Sequence, residues 1–405
     1  MQQFVGAPIF DADQHMYETA DALTKFLPEK YQSAVQFVQI GRHTRIAIKG
    51  HITDYIPNPT FDRVAVPGAQ ERHYAGQNPE GLSLKEMTGR GIDALPAFRN
   101  PQDRLPVLDE QGVHESFMFP TLANLVEHSA AEDYELVAAI IHALNQWMLE
   151  TWTFDYQSRI FATPVINCGM VDNARREFEY VVSNGAKIVL IKPSAVYGPQ
   201  GWRSPALPEF DAFWSDVESS GIPVAIHASQ APLSGYIDQW DPPGTNNFMT
   251  QGVFRNLVLG HRDISDMVAS LICHGTLTRF PKLKIMSVEN GSDWIKPLFN
   301  DFSTWMKKMP QAFEENPHEV FRRNMYVSPF WEGSVQGLVD LVGRDRVLYG
   351  SDYPHPEGLA EPLGFFKYAE PMDENLTYDF MGDNARRMMG LPVQNPAGDA
   401  LAMSA

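Results

Sequence analysis

At 405 residues the chain exceeds the usual size of a single domain but suits one α/β barrel carrying insertions. Its composition, 44% hydrophobic, 20% charged and 11% aromatic, is that of an ordinary globular protein. The formal charge of −18, from 32 basic and 50 acidic residues, argues against nucleic acid or a membrane as partner and leaves a small-molecule substrate, which a local cation could hold if it is anionic.

The chain opens with an apolar run over 7–10 that predicts a buried strand over 8–13, closing on Asp11-Ala12-Asp13-Gln14-His15. Side chains alternate along a strand, so Asp11, Asp13 and His15 are expected on one side. Residues 31–99 break the pattern that follows. Two strand-prone stretches, 35–40 and 44–48, flank Gly41-Arg42 and predict a β-hairpin, after which Pro, Gly and Asn dominate. This region reads as an insertion after the first strand, arching over a barrel mouth or contacting a neighbouring subunit.

Further strands are expected over 115–119, 161–166, 187–191, 224–227, 283–288, 325–327 and 347–351. Helices such as 134–152, 172–183 and 211–220 lie between them, and Gly185, Gly221 and Gly343 each follow a helical stretch where a left-handed residue is expected. Strands alternating with helices predict an α/β fold, a distorted (β/α)8 TIM barrel over 1–392 with a frayed tail over 393–405. Only Cys168 and Cys273 are present, no apolar run reaches the ~20 residues of a span, and Met1–Pro8 lacks a leader pattern, so a cytoplasmic protein is expected.

The polar residues at strand ends carry the chemistry. Asp13 and His15 end the first strand, His227 ends the run 222–226, and Asp352 follows the last strand in Gly350-Ser351-Asp352-Tyr353-Pro354-His355. Carboxylates and imidazoles converging there suit a divalent cation. Asp352 can bind an ion through one oxygen while the other takes a proton from bound water. Glu289 ends 283–288 and reads as a general acid or base, a ligand to a second ion, or a turn carboxylate. Lys192 closes 188–191, where it can neutralise a substrate anion, carry a carbamate between two ions, or simply stand at the rim. His355, stiffened by Pro354 and Pro356, suits a substrate-facing or supporting hydrogen bond, and Phe330 and Trp331 suit an aromatic wall. His274 reads as a helix-end histidine, and His142 with Asn145 as packing.

From Phe10 to about Leu391 the chain resembles the second amidohydrolase family, typified by aminocarboxymuconate-semialdehyde decarboxylase. The resemblance rests on Asp11-Ala12-Asp13-Gln14-His15-Met16-Tyr17-Glu18, Phe280-Pro281-Lys282-Leu283-Lys284-Ile285 and Gly350-Ser351-Asp352-Tyr353-Pro354-His355-Pro356-Glu357-Gly358. It implies a site at the C-terminal face of a distorted barrel with a single divalent ion, usually zinc or manganese. It places the ligands on Asp13, His15, His227 and Asp352. Two positions depart from the family's pattern. Asp13 stands where many relatives carry His or Glu, and Glu289 stands where many carry a catalytic His, which weighs against decarboxylation.

Hydrolysis of an amide or related C–N bond in a small organic molecule, with Asp352 or Glu289 shuttling the proton, therefore leads the readings. Decarboxylation or hydration of a small carboxylic acid is the alternative at the same site. An oxidative enzyme with two iron or manganese ions is another, with Glu289, Glu18 and Asp11 adding oxygen ligands. A non-catalytic subunit beside a related barrel chain is a further reading. A homodimer through residues 31–99 is the expected assembly.

Overall fold

The computed structural model of the protein describes residues 9–230, 234–240, 252–332 and 334–395. The Met1–Pro8 stretch read for a leader and the tail beyond residue 395 lie outside the described residues, as does part of the loop after His227. Among the described residues no helix is long and apolar enough to cross a membrane.

The first strand, β1 (Ile9–His15), is buried at every position. The segment after it folds apart from the main alternation. Here β2 (Val35–Ile40), β3 (His43–Ile48) and β4 (His51–Thr53) make an antiparallel sheet, and β5 (Arg63–Val64) pairs with β6 (Ile92–Asp93). The predicted hairpin about Gly41-Arg42 is present, with Ile40 opposite His43, and β4 extends it by a third strand. The βα alternation then proceeds through β7 (Val113–Phe119), β8 (Ile160–Ala162), β9 (Val189–Ile191), a small hairpin of β10 (Val196–Gly198) and β11 (Gly201–Arg203), β12 (Val224–His227), β13 (Ile285–Val288) and β14 (Met325–Val327). Helices Tyr134–Thr151, Val171–Ser183 and Asp211–Ser220 lie within a residue of their expected bounds, and Gly221 caps the last in the left-handed conformation.

Two parallel sheets result, ordered β1-β7-β8 and β9-β12-β13-β14. Single parallel bridges join them, Val165 to Leu190 on one side and, through the last segment, Val327 to Val347 and Gln14 to Tyr353 on the other. Pairing thus follows the order of a (β/α)8 barrel, although no continuous ladder runs round it. Residues 347–351, expected as the eighth strand, form no regular strand. The Ser351 amide donates to the Asp11 carboxylate (2.9 Å) instead of to a backbone carbonyl of β1, which interrupts the ladder. Isolated bonds replace it, from the Ala12 amide to the Tyr349 carbonyl (2.8 Å), from Asp352 to Asp13 (2.8 Å) and from His15 to Tyr353 (2.8 Å).

Alternation along the strands splits the core in two. Phe10, Ala12, Phe117, Phe119, Phe161, Ala225, Met286, Val288, Tyr326 and Leu348 pack together in one cluster. Their sequence neighbours Ile9, Met118, Ile160, Val224, Ile226, Ile285, Met325 and Val347 pack in the other, with the helices. This is the two-sided burial a barrel wall demands.

Candidate metal centre

Strict alternation would send Asp13 and His15 outward with Ile9, because Phe10 and Ala12 face the barrel interior. The β1–β7 register shifts between Asp11 and Gln14, and such an irregularity re-aims the residues beyond it. Asp13 and His15 consequently meet His227, which keeps the inward parity of Ala225. A second device acts at Glu289 and Asp352. Both are non-glycine residues with positive φ, at 57° and 58°, a conformation that costs about 1 kcal/mol or more. It turns Glu289 against the alternation that points Val288 inward, whereas Asp352 keeps the inward parity of Leu348.

The donor atoms converge. His15 Nε2 lies 3.1 Å from His227 Nε2, 3.4 Å from Asp13 Oδ1 and 3.4 Å from Asp352 Oδ1. His227 Nε2 lies 3.5 Å from Asp13 Oδ1 and 3.2 Å from Glu289 Oε2. Ligand atoms around a tetrahedral ion with bonds of about 2.0–2.1 Å stand about 3.3 Å apart, so this spacing suits a divalent cation. His227 Nδ1 lies 2.9 Å from the Ala228 carbonyl, a bond that leaves the Nε2 lone pair for a metal. Asp13 Oδ1 and both Asp352 oxygens are buried with no hydrogen-bond partner. Buried polar atoms are seldom left so, and a cation would satisfy all three.

Electrostatics agree. Burial, reinforced by Glu357, Asp13 and Asp11, pushes the Asp352 carboxyl well above its ordinary range. Burial and Asp352 do the same to Glu289. Burial would also raise Asp13, but the imidazoles of His15 and His227 hold it well below. Burial and the neighbouring His355 keep His15 neutral by lowering it, whereas at His227 the pull of Asp13 and Glu289 outweighs burial and raises it to about 9. The group needs positive charge at its centre, and without metal a proton on His227 supplies it.

Around this centre, Arg104 is fully buried, donates to the His15 carbonyl and stacks its guanidinium 5.0 Å from the Tyr353 ring centroid. His355 stacks on His15 with centroids 3.9 Å apart, its Nδ1 2.8 Å from Asp352 Oδ1 without the alignment of a hydrogen bond. A cavity of about 1130 Å³ opens above, walled by Tyr17, Tyr55, Phe61, Tyr74, Phe330 and Trp331. The segment carrying β2–β6 supplies much of this wall, including Arg45 on β3. Lys192 also lines it, its ammonium lowered by burial and faced by Glu127 and Asp263. Trp331 Nε1 donates to the Glu357 carbonyl (2.9 Å), so this ring fixes the loop after Asp352 as well as walling the cavity.

Two sequence expectations are corrected. Asp11 does not join Asp13 and His15: its carboxylate accepts from Ser351 Oγ (2.6 Å), the Ser351 amide (2.9 Å) and Gln14 (2.9 Å), tying β1 to the last segment. Glu18 supplies no oxygen to the centre, because its Oε1 accepts from the Thr121 (2.8 Å) and Leu122 (2.7 Å) amides. Sequence reasoning passed over Glu357, Arg104, Tyr55 and Tyr74. Only Glu357, two residues beyond His355 in a proline-stiffened turn, carried a signal. His142 and Asn145 pack as expected, against Glu177 and Val165.

The amidohydrolase family matches residues 15–391. An amidohydrolase of solved structure from Mycobacterium avium subsp. paratuberculosis K-10 is 33% identical, with 95% of this chain and 100% of that one covered at a TM-score of 0.90. A 2,6-dihydroxybenzoate decarboxylase from Rhizobium shares the fold at a TM-score of 0.61 and 16% identity, covering 95% and 99% of the two chains. The 2-amino-3-carboxymuconate-6-semialdehyde decarboxylase of Dictyostelium discoideum is 26% identical over 184 residues, 43% of this chain. That match spans about half of the curated relative's length, 49%.

Proposed function

From the premise that this chain belongs to the amidohydrolase family, whose members are metal-dependent hydrolases or lyases, we propose that it is a lyase removing CO2 from a small, planar carboxylic acid. The carrying observation is the imidazole of His355, stacked on His15 and 2.8 Å from Asp352, at the floor of an aromatic-walled cavity. Sequence weighed against decarboxylation because Glu289 replaces an imidazole on the sixth strand. The structure supplies an imidazole to the same floor from the loop after Asp352.

Asp13, His15, His227, Asp352 and Glu289 would hold the ion. Bound there, it supplies positive charge against the electron density that builds up when a carboxylate departs. The chain's residues do the rest. Breaking the C–C bond leaves its electron pair on carbon, and a proton must reach that carbon. The His355 imidazole, 2.8 Å from Asp352 and facing the cavity, can deliver it. The aromatic walls hold a flat substrate and exclude water, and Lys192 can balance a second substrate anion. The names of the Rhizobium and Dictyostelium relatives support the reading.

Glu289 favours a second reading. Its Oε2, 3.2 Å from His227 Nε2, can take a proton from a water held at the centre, as amide hydrolysis requires. Zinc- or manganese-loaded protein incubated with hydroxybenzoic and conjugated carboxylic acids separates the two. Release of CO2 that Asp352→Asn abolishes supports the lyase. Hydrolysis of simple amides with no CO2 from any acid overturns it in favour of the hydrolase.

A further inference from the structure

Counter-charge at the centre is incomplete with one ion. Asp13, Glu289, Asp352 and Glu357 carry one negative charge each when ionised, while His15 and His227 are neutral as ligands. A single divalent cation offsets half of this. Among the described residues no lysine or arginine nitrogen stands within 4.0 Å of any of the four carboxylates; their ion-pair partners are His15, His227 and His355 alone. Uncompensated charge in a buried site is expensive, so the remainder calls for a second cation or for protons.

The geometry offers a place for the cation. Glu289, Asp352 and Glu357 each bring a carboxylate oxygen within 4.8 Å of the others, and Glu289 also belongs to the group formed with Asp13, His15 and His227. Asp352 is fully buried and neither of its oxygens has a hydrogen-bond partner, although its Oδ1 also stands 3.4 Å from His15. Glu357 Oε2 is likewise buried and unpartnered. Carboxylates are shared between neighbouring ions in two-metal sites, where the ions stand about 3.5–4 Å apart. The all-oxygen donor set selects a hard cation such as manganese or magnesium over zinc.

We infer that Glu289, Asp352 and Glu357 form a second divalent-cation site beside the first, on the cavity side, with Glu289 and Asp352 common to both. Glu357 belongs to the second site alone. The inference rests on the proposed function only in needing the first ion in place.

Metal-free protein loaded with manganese(II), freed of excess and examined for bound manganese and by electron paramagnetic resonance tests it. About two ions per chain with a spin-coupled spectrum are expected, falling to about one with an isolated-ion spectrum in Glu357→Gln. Saturation of the wild-type chain at one ion, or retention of two by Glu357→Gln, overturns the second site. Should Glu357→Gln fail to fold, the wild-type spectrum decides alone: isolated manganese at saturation rejects the pair. A single wild-type ion that His227→Ala loses leaves the proposed function standing, whereas a chain binding none withdraws both.

Discussion

Glu18 shows what a single buried carboxyl does to this protein. It accepts two backbone amides, yet burial pushes it from its ordinary 4.5 up to about 7. Between those two values the folded chain binds more protons at this position than the unfolded chain. Its stabilising share is therefore complete below about pH 4.5 and is lost as pH rises through about 7. Glu18→Gln removes the titration while keeping an oxygen for the amides. Paired melts at pH 5 and pH 8 should show the variant gaining on the wild type at the higher pH, by on the order of 1–3 kcal/mol. An identical difference at both pH values would mean that the carboxyl stays ionised in the fold. At this scale the sequence was a fair guide. Asp13, His15, His227 and Asp352 converge, and each could be picked out as a polar residue ending an apolar run. Arg104 and Tyr74 could not, since nothing in a helix or loop sequence tells which residue a distant strand end will meet.

The contact between β1 and the last segment is tight enough to be tested with one methyl group. A Cβ at Gly350 would sit 2.6 Å from the Asp13 Cβ and 2.8 Å from Ser328 Oγ, closer than side-chain atoms pack. Gly350→Ala should therefore push Asp13 from the centre, costing about 1–3 kcal/mol of stability and roughly 10–100-fold in cation affinity. Urea unfolding and a manganese titration check the two effects. Unchanged affinity would remove Asp13 from the ligand set. The same contact explains where element prediction stopped. Apolar runs located the other seven barrel strands to within a few residues, because burial on both faces leaves a continuous hydrophobic signature. Residues 347–351 carry that signature too, but the Ser351 amide is taken by the Asp11 carboxylate and so leaves the ladder, and a side chain's distant partner leaves no mark in an apolar run.

For the whole molecule, the centre is where β1, β12, β13 and the last segment meet, so its charge balance bears on the stability of the entire barrel. A cation bound only by the folded state stabilises it by about 4 kcal/mol at a thousandfold excess over the dissociation constant. Chelation should therefore lower the melting temperature by several degrees, and restoring manganese should recover it. Asp13→Asn should show a smaller response to both treatments. A melting temperature indifferent to chelator in the wild-type chain would mean that the converging carboxylates hold protons instead of metal.

Sequence by itself determined the class of fold, the hairpin about Gly41-Arg42, and the residue types at the strand ends. These follow from local rules: hydrophobic periodicity, turn residues, and polar side chains placed where a buried strand stops. Tertiary structure alone decided which of those polar residues share a centre. The register shift between Asp11 and Gln14 parts Asp11 from Asp13, the positive φ of Glu289 turns its carboxylate inward, and the fold brings Glu357 and Arg104 to residues far along the chain. A side chain's direction depends on the pairing of its strand with a distant one, and that pairing is a property of the closed arrangement, absent from any stretch read alone.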